Sequence, residues 1–124
     1  MNRKRLFKEI NKLCVCLQDE YDINNGGCCY VAACIAEQLE SHSIPFKVIH
    51  YNLRTCHYCI KVSDRYLNRD GYYKYEISEV LECSSEYLYN IYYETDWNFR
   101  YNTIYNSKVR KRIKELFDCE NNRI

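Results

Sequence analysis

Residues 25–71, NGGCCYVAACIAEQLESHSIPFKVIHYNLRTCHYCIKVSDRYLNRDG, change their hydrophobic period halfway along. In the first part Cys28, Ala32, Ile35 and Leu39 recur at spacings of four, three and four, so a helix begins close to Cys28 and ends near Ser41. Ala32, Ala33 and Ala36 suit a central helix packed on several sides. Past Pro45 the residues become β-branched and aromatic, and strands are expected at 46–53 and 57–62, with a short return strand at 66–68. If Ser63 and Asp64 form an even-numbered loop, residues whose numbers sum to 127 lie opposite each other. His57 then faces Asp70, with Asn68 diagonal to it on the same side of the sheet.

Outward from this stretch the pattern is helical. Leu6, Ile10, Leu13 and Leu17 form one apolar stripe and predict a helix over 2–18, joined to the next by a turn-rich loop at 22–27. A short helix is expected at 85–93, and Val109, Ile113, Leu116 and Phe117 mark a last one with its Lys and Arg on the outer face. The order helix, helix, small antiparallel sheet, helix reads as α+β, and 124 residues leave room for a single domain, 1–124.

Composition narrows the function classes. Apolar residues at 47% and charged residues at 28%, with three Gly and one Pro, exclude disordered and fibrous chains. The longest uncharged stretch, 23–36, is too short to cross a bilayer, and MNRKRLFKEINK lacks the apolar block of a secretory signal. Nine Cys cannot all pair within one chain, and Cys14, Cys16 and Cys34 sit in helical apolar patterns where thiols act as small hydrophobes. A reducing cytoplasm is the expected compartment. Fourteen Tyr and twelve Asn suggest a low-GC source of viral, phage or plasmid type. Both ends are basic, but a net charge of +1 gives little long-range attraction for nucleic acid, which is not expected as a partner.

The candidate chemistry lies in the quoted stretch. A Cys opening a helix just after Gly26 and Gly27 feels the positive end of the helix dipole, which favours the nucleophilic thiolate, and the glycines allow a sharp turn and close approach of a substrate. The nucleophile is Cys28 or Cys29; the face shared with Ala32 and Ile35 and the spacing to Pro45 favour Cys28. His57 supplies a base, and Asn68 or Asp70 a group that orients it. Cys56, His57 and Cys59 also compose a C-H-x-C cluster to which Cys14, Cys16, Cys28 and Cys29 can be added as zinc ligands, but no second short-spaced pair accompanies it. A redox role for Cys56 and Cys59 is weaker, since the motif leads into a strand.

GGCCYVAACIAEQLESHSIPFKVI followed by HYCIKVSDRYLNRDG resembles the papain-like and transglutaminase-like superfamily of cysteine hydrolases and acyltransferases. There a nucleophilic Cys opens a helix of small residues, the helix ends in an "xIPxxVV" entry to a strand, and a His opens the next strand with Asp or Asn about eleven residues on. The resemblance covers residues 25–71. It implies a papain-like core, with the nucleophile-bearing helix packed on a small antiparallel sheet, and a Cys28–His57–Asn68 triad acting on an amide or isopeptide bond. The implied substrate is a protein or peptide, such as a host protein, and neither metal nor organic cofactor is implied. The papain-type Gln ahead of the Cys is missing: Asp22 stands six residues before Cys28 and Gln18 ten before. Asn24, Asn25 or backbone N–H groups are the alternative oxyanion donors. Trp97, Phe99 and Tyr101 are read as core, or as an aromatic wall to the cleft. The rival to catalysis is an inactive papain-like scaffold that serves as an inhibitor or adaptor.

Overall fold

The computed structural model describes residues 1–24, 27–52, 56–73, 75–95 and 103–122; Asn25, Gly26, Leu53, Trp97, Phe99 and Tyr101, named above, lie outside them. The fold is α+β, with four helices and a four-stranded antiparallel sheet among the described residues. Helix α1 (Arg3–Tyr21) starts where the Asn2 side chain accepts from the Arg5 N–H at 3.0 Å. It ends where Asp22 turns left-handed at φ 53° and returns its N–H to the Gln18 carbonyl. That cap lets the helix run to Tyr21 instead of stopping at Gln18. Leu6, Phe7, Ile10, Cys14 and Leu17 are its buried stripe, whereas Cys16, read as core, is exposed on the outer face.

Helix α2 (Cys28–Ser41) is buried on nearly every side. Its small residues let the sheet and two later helices approach its axis, and it carries the chain into strand β1 (Lys47–Asn52). Strand β2 (Cys56–Val62) pairs with β1, and β3 (Arg65–Leu67) returns beside β2 through Ser63 and Asp64. Ile60 faces Leu67, Lys61 faces Tyr66 and Val62 faces Arg65, the register an even loop predicts. The ladder stops there. Asn68 and Asp70 both take left-handed backbone, at φ 62° and 61°, and the chain leaves the sheet through a 3-10 turn (Gly71–Tyr73), so the pairing of His57 with Asp70 does not form.

No strand is expected at Ser78–Leu81, yet β4 forms there and pairs with β1, giving the order β3-β2-β1-β4. It is short, largely exposed and carries Glu79 mid-strand, features of an edge strand without an alternating signature. Helix α3 (Ser85–Thr95) is held at its start by α2: Glu40 accepts from the Ser85 N–H at 2.6 Å and from its hydroxyl at 3.1 Å. Helix α4 (Thr103–Asn121) buries Val109, Ile113 and Phe117 and returns to α1, where buried Glu120 accepts two hydrogen bonds from Arg5 and one from the Asn2 N–H. Its basic face is answered locally, with Arg110 on Glu37, Arg112 on Glu20 and Lys114 on Asp118.

One core joins all four helices to the sheet residues Val48, Tyr58, Ile60, Val62 and Leu67. On the other face of the sheet Ile49, Tyr51 and Cys59 form a smaller cluster under Tyr73. None of the described helices is long and apolar enough to cross a membrane.

Candidate active site

Adjacent positions on a helix point about 100° apart, and that divides the two cysteines opening α2. The Cys29 thiol donates to the Leu88 carbonyl of α3 at 3.2 Å. The Cys28 thiol donates to the main-chain carbonyl of Cys56 in β2 at 3.7 Å. Cys28 is therefore the cysteine on the sheet side, 4% exposed. Gly27 caps the helix with no side-chain hydrogen bond, so the first-turn N–H groups, which lie outside the intrahelical ladder, carry no side-chain cap from that position. Its φ of −109° is open to any residue, so left-handed freedom does not explain a glycine there.

The entry to α2 is a polar chain. Gln18 accepts from the Asn24 N–H at 2.7 Å and donates to the Asp22 carboxylate at 2.7 Å. The Asn24 side-chain oxygen Oδ1 in turn accepts from the Asn68 side-chain amide at 3.2 Å. Gln18 thus shapes the loop, and ties it to the segment after β3.

His57 is fully buried. Its ring lies flat on Tyr73, centroids 4.4 Å apart and 4° from parallel, with Tyr51 alongside at 6.3 Å. Nε2 stands 2.7 Å from the main-chain carbonyl of Asn68. A carbonyl only accepts, so Nε2 carries the proton and the Nδ1 lone pair is bare. Nδ1 is buried without a hydrogen-bond partner, a vacancy that costs about 1–3 kcal/mol and marks the ring as unsatisfied. Burial lowers the His57 pKa; the Asn68 carbonyl, the Asp70 charge and the Arg69 backbone oppose this to a smaller extent. The imidazole at neutral pH is accordingly an uncharged base.

The carbonyl that Cys28 touches belongs to the peptide joining Cys56 to His57. Standard peptide geometry then holds the sulfur within roughly 6.5 Å of the His57 Cα. No hydrogen bond joins the sulfur to the ring: the His57 side chain alternates to the face of β2 away from α2, where it packs on Tyr51 and Tyr73, while Cys28 packs on the helix-facing side.

The orienting role read for the Asn68 side chain requires correction. Its main-chain carbonyl holds His57, while its amide reaches Asn24. Left-handed backbone at Asn68 turns the carbonyl inward, and Asn11 of α1 holds the segment by accepting from the Asn68 N–H at 2.9 Å and donating to the Tyr66 carbonyl at 3.0 Å. Asn11 was not among the expected site residues; its only sequence signal is a short polar residue next to the apolar stripe of α1. Beside this clamp a groove of about 360 Å³ runs between α1 and the segment after β3, reaching the site through Asn24 and Asn68 and not through Cys28.

The C-H-x-C cluster does not converge. Cys56 alternates to the helix-facing side of β2, with Tyr58 and Ile60, and His57 and Cys59 to the other. Burial pushes the Cys59 thiol up to about 12, and those of Cys14 and Cys34 equally. No group of three or more His, Cys, Asp or Glu able to hold a metal ion occurs among the described residues. No family model, curated protein or solved structure matches the chain.

Proposed function

We propose that this chain is a cysteine hydrolase or acyltransferase of papain-like or transglutaminase-like type, acting on an amide or isopeptide bond of a protein or peptide. The observation that carries this reading is the state of His57, with Nε2–H committed to the Asn68 carbonyl and Nδ1 bare; the Cys28 sulfur touches the carbonyl of the peptide that precedes His57, from the other face of the sheet. In this mechanism His57 Nδ1 takes the Cys28 proton and the sulfur attacks the carbonyl carbon. The first-turn N–H groups of α2 stabilise the oxyanion. The proton passes from Nδ1 to the leaving amine, and water or an acceptor amine resolves the thioester. The Asn68 carbonyl keeps the ring in the tautomer that this sequence needs. These steps use only protein groups. The proposed compartment is a reducing cytoplasm, on the odd count of nine cysteines, and the proposed source is phage or plasmid.

The test is mild iodoacetamide labelling read by peptide mass spectrometry. Selective alkylation of Cys28 that falls in His57→Ala supports the reading; uniform slow labelling of all exposed thiols sinks it.

A second reading, an inactive scaffold that binds a protein partner, is favoured by the burial of Cys28 and by a groove that, among the described residues, reaches the site through Asn24 and Asn68 and not through Cys28. A pull-down from cell lysate separates the two. Enrichment of a protein on Cys28→Ala relative to wild type indicates a trapped substrate, and equal recovery by both forms indicates a binding protein.

A further inference from the structure

A second cysteine–histidine system lies on the helix-facing side of the sheet. It draws on three adjacent strands. His50 of β1 stands opposite Tyr58 of β2 and opposite Glu79 of β4, and Cys56 lies two residues before Tyr58 on the same face. The His50 ring stacks on Tyr58, centroids 4.3 Å apart and 10° from parallel, which sets its plane. Nδ1 meets the Glu79 carboxylate at 2.7 Å, and Nε2 meets the Cys56 sulfur at 3.0 Å. Because a carboxylate accepts, Nδ1 carries a proton and Nε2 is left to take the one on sulfur. Cys56 is exposed, and a groove of about 210 Å³ lined by His50, Asn52, Ile77, Ser78 and Glu79 opens next to it.

From this geometry we infer that Cys56, His50 and Glu79 form a second nucleophilic centre that takes up small-molecule disulfides by thiol–disulfide exchange. The centre uses neither Cys28 nor His57, so it goes beyond the function proposed above. Attack at sulfur is an in-line displacement; it needs a thiolate, a group to hold its proton and open access, with no oxyanion to stabilise. The Cys56 proton moves to His50 Nε2, whose positive charge Glu79 offsets. The Cys56 sulfur then bonds to one sulfur of the disulfide, the reagent's S–S bond breaks, and the leaving thiolate takes the proton from His50. Cys56 is oxidised and the departing sulfur is reduced, so the disulfide is itself the oxidant. The Tyr58 side chain hydrogen-bonds the Cys56 sulfur; burial foremost, and then that sulfur, push its phenol above the ordinary range, so it stays a neutral donor.

The test mixes the full reduced chain with glutathione disulfide near pH 7 and follows adducts by peptide mass spectrometry. Cys16 and Cys119, both exposed, are internal references. Cys56 is expected to gain its adduct at least about ten times faster than either, His50→Gln to bring it to their rate, and Glu79→Gln to slow it several-fold. Equal rates at Cys56, Cys16 and Cys119 overturn the inference, as does a Cys56 rate indifferent to Glu79→Gln. Glu79 lies on the exposed edge strand, so that variant decides the matter where His50→Gln fails to fold by circular dichroism.

Discussion

His50 and His57 sit on neighbouring strands of one sheet, each flat against a tyrosine, and they differ in almost every property that matters for chemistry. His57 is enclosed, its Nε2–H held by a main-chain carbonyl and its Nδ1 bare. His50 keeps some access to solvent, its Nδ1 held by a carboxylate and its Nε2 on a sulfur. A carbonyl is a dipole and fixes the ring's tautomer; a carboxylate is a full charge and also stabilises the imidazolium. Identical side chains thus become a neutral base in one place, where burial outweighs the carbonyl anchor, and a ring held between a carboxylate and a thiol in the other.

The sharpest way to break this comparison is to remove the enclosed imidazole. His57→Ala is expected to slow Cys28 alkylation, and any amide turnover, by about 10²–10⁴, while the reaction of Cys56 with disulfide stays at its wild-type rate. A parallel loss at Cys56 would mean that the two systems are one.

Removing the cover of His57 comes next. Tyr73→Ala should destabilise the fold by about 3 kcal/mol, through a cavity and exposure of the ring, and Tyr73→Phe by much less. Hydration also moves the His57 pKa back up toward its ordinary value, which NMR titration of the ring reads directly. An unchanged titration in Tyr73→Ala would show that burial is not what holds the pKa down.

The same depression predicts how stability follows pH. A histidine whose folded pKa lies below its unfolded value takes up protons more readily when unfolded, so acid favours the unfolded chain. The contribution of His57 is fully present above about pH 6.5, and is lost at up to about 1.4 kcal/mol per pH unit as pH falls to the folded pKa. Below that it levels off. Denaturant melts across this window should show the slope in wild type and a flatter line in His57→Gln; equal slopes count against a buried neutral ring.

The smallest effect tests the anchors themselves. Asn68→Gly keeps the carbonyl and suits the left-handed backbone, so Cys28 reactivity should stay within about threefold. Asn68→Ala adds strain of about 1 kcal/mol at φ 62° without changing that chemistry. A large loss in Asn68→Gly would return the orienting role to the amide.

Much of the architecture was legible because it is local. The four-three-four spacings of α1 and α2 describe one face of a helix whatever surrounds it, and a two-residue loop at Ser63 and Asp64 sets the pairing of β2 with β3 through pleat geometry alone. Cys28 at a helix start and His57 at a strand start were visible for the same reason.

Tertiary structure alone decided the rest, and in each case the deciding contact joins segments far apart in the chain. The chemistry of Cys28 and Cys29 is identical in sequence; β2 on one side and α3 on the other separate them. Asn68 offers an amide and a carbonyl, and the clamp from Asn11 together with the left-handed turn presents the carbonyl. Strand β4 has too short and polar a pattern to announce itself; pairing with β1 makes it a strand, and brings Glu79 to His50. Periodicity records which way each residue points relative to its own element. It carries nothing about which element will stand opposite, because that follows from the burial of the whole core at once.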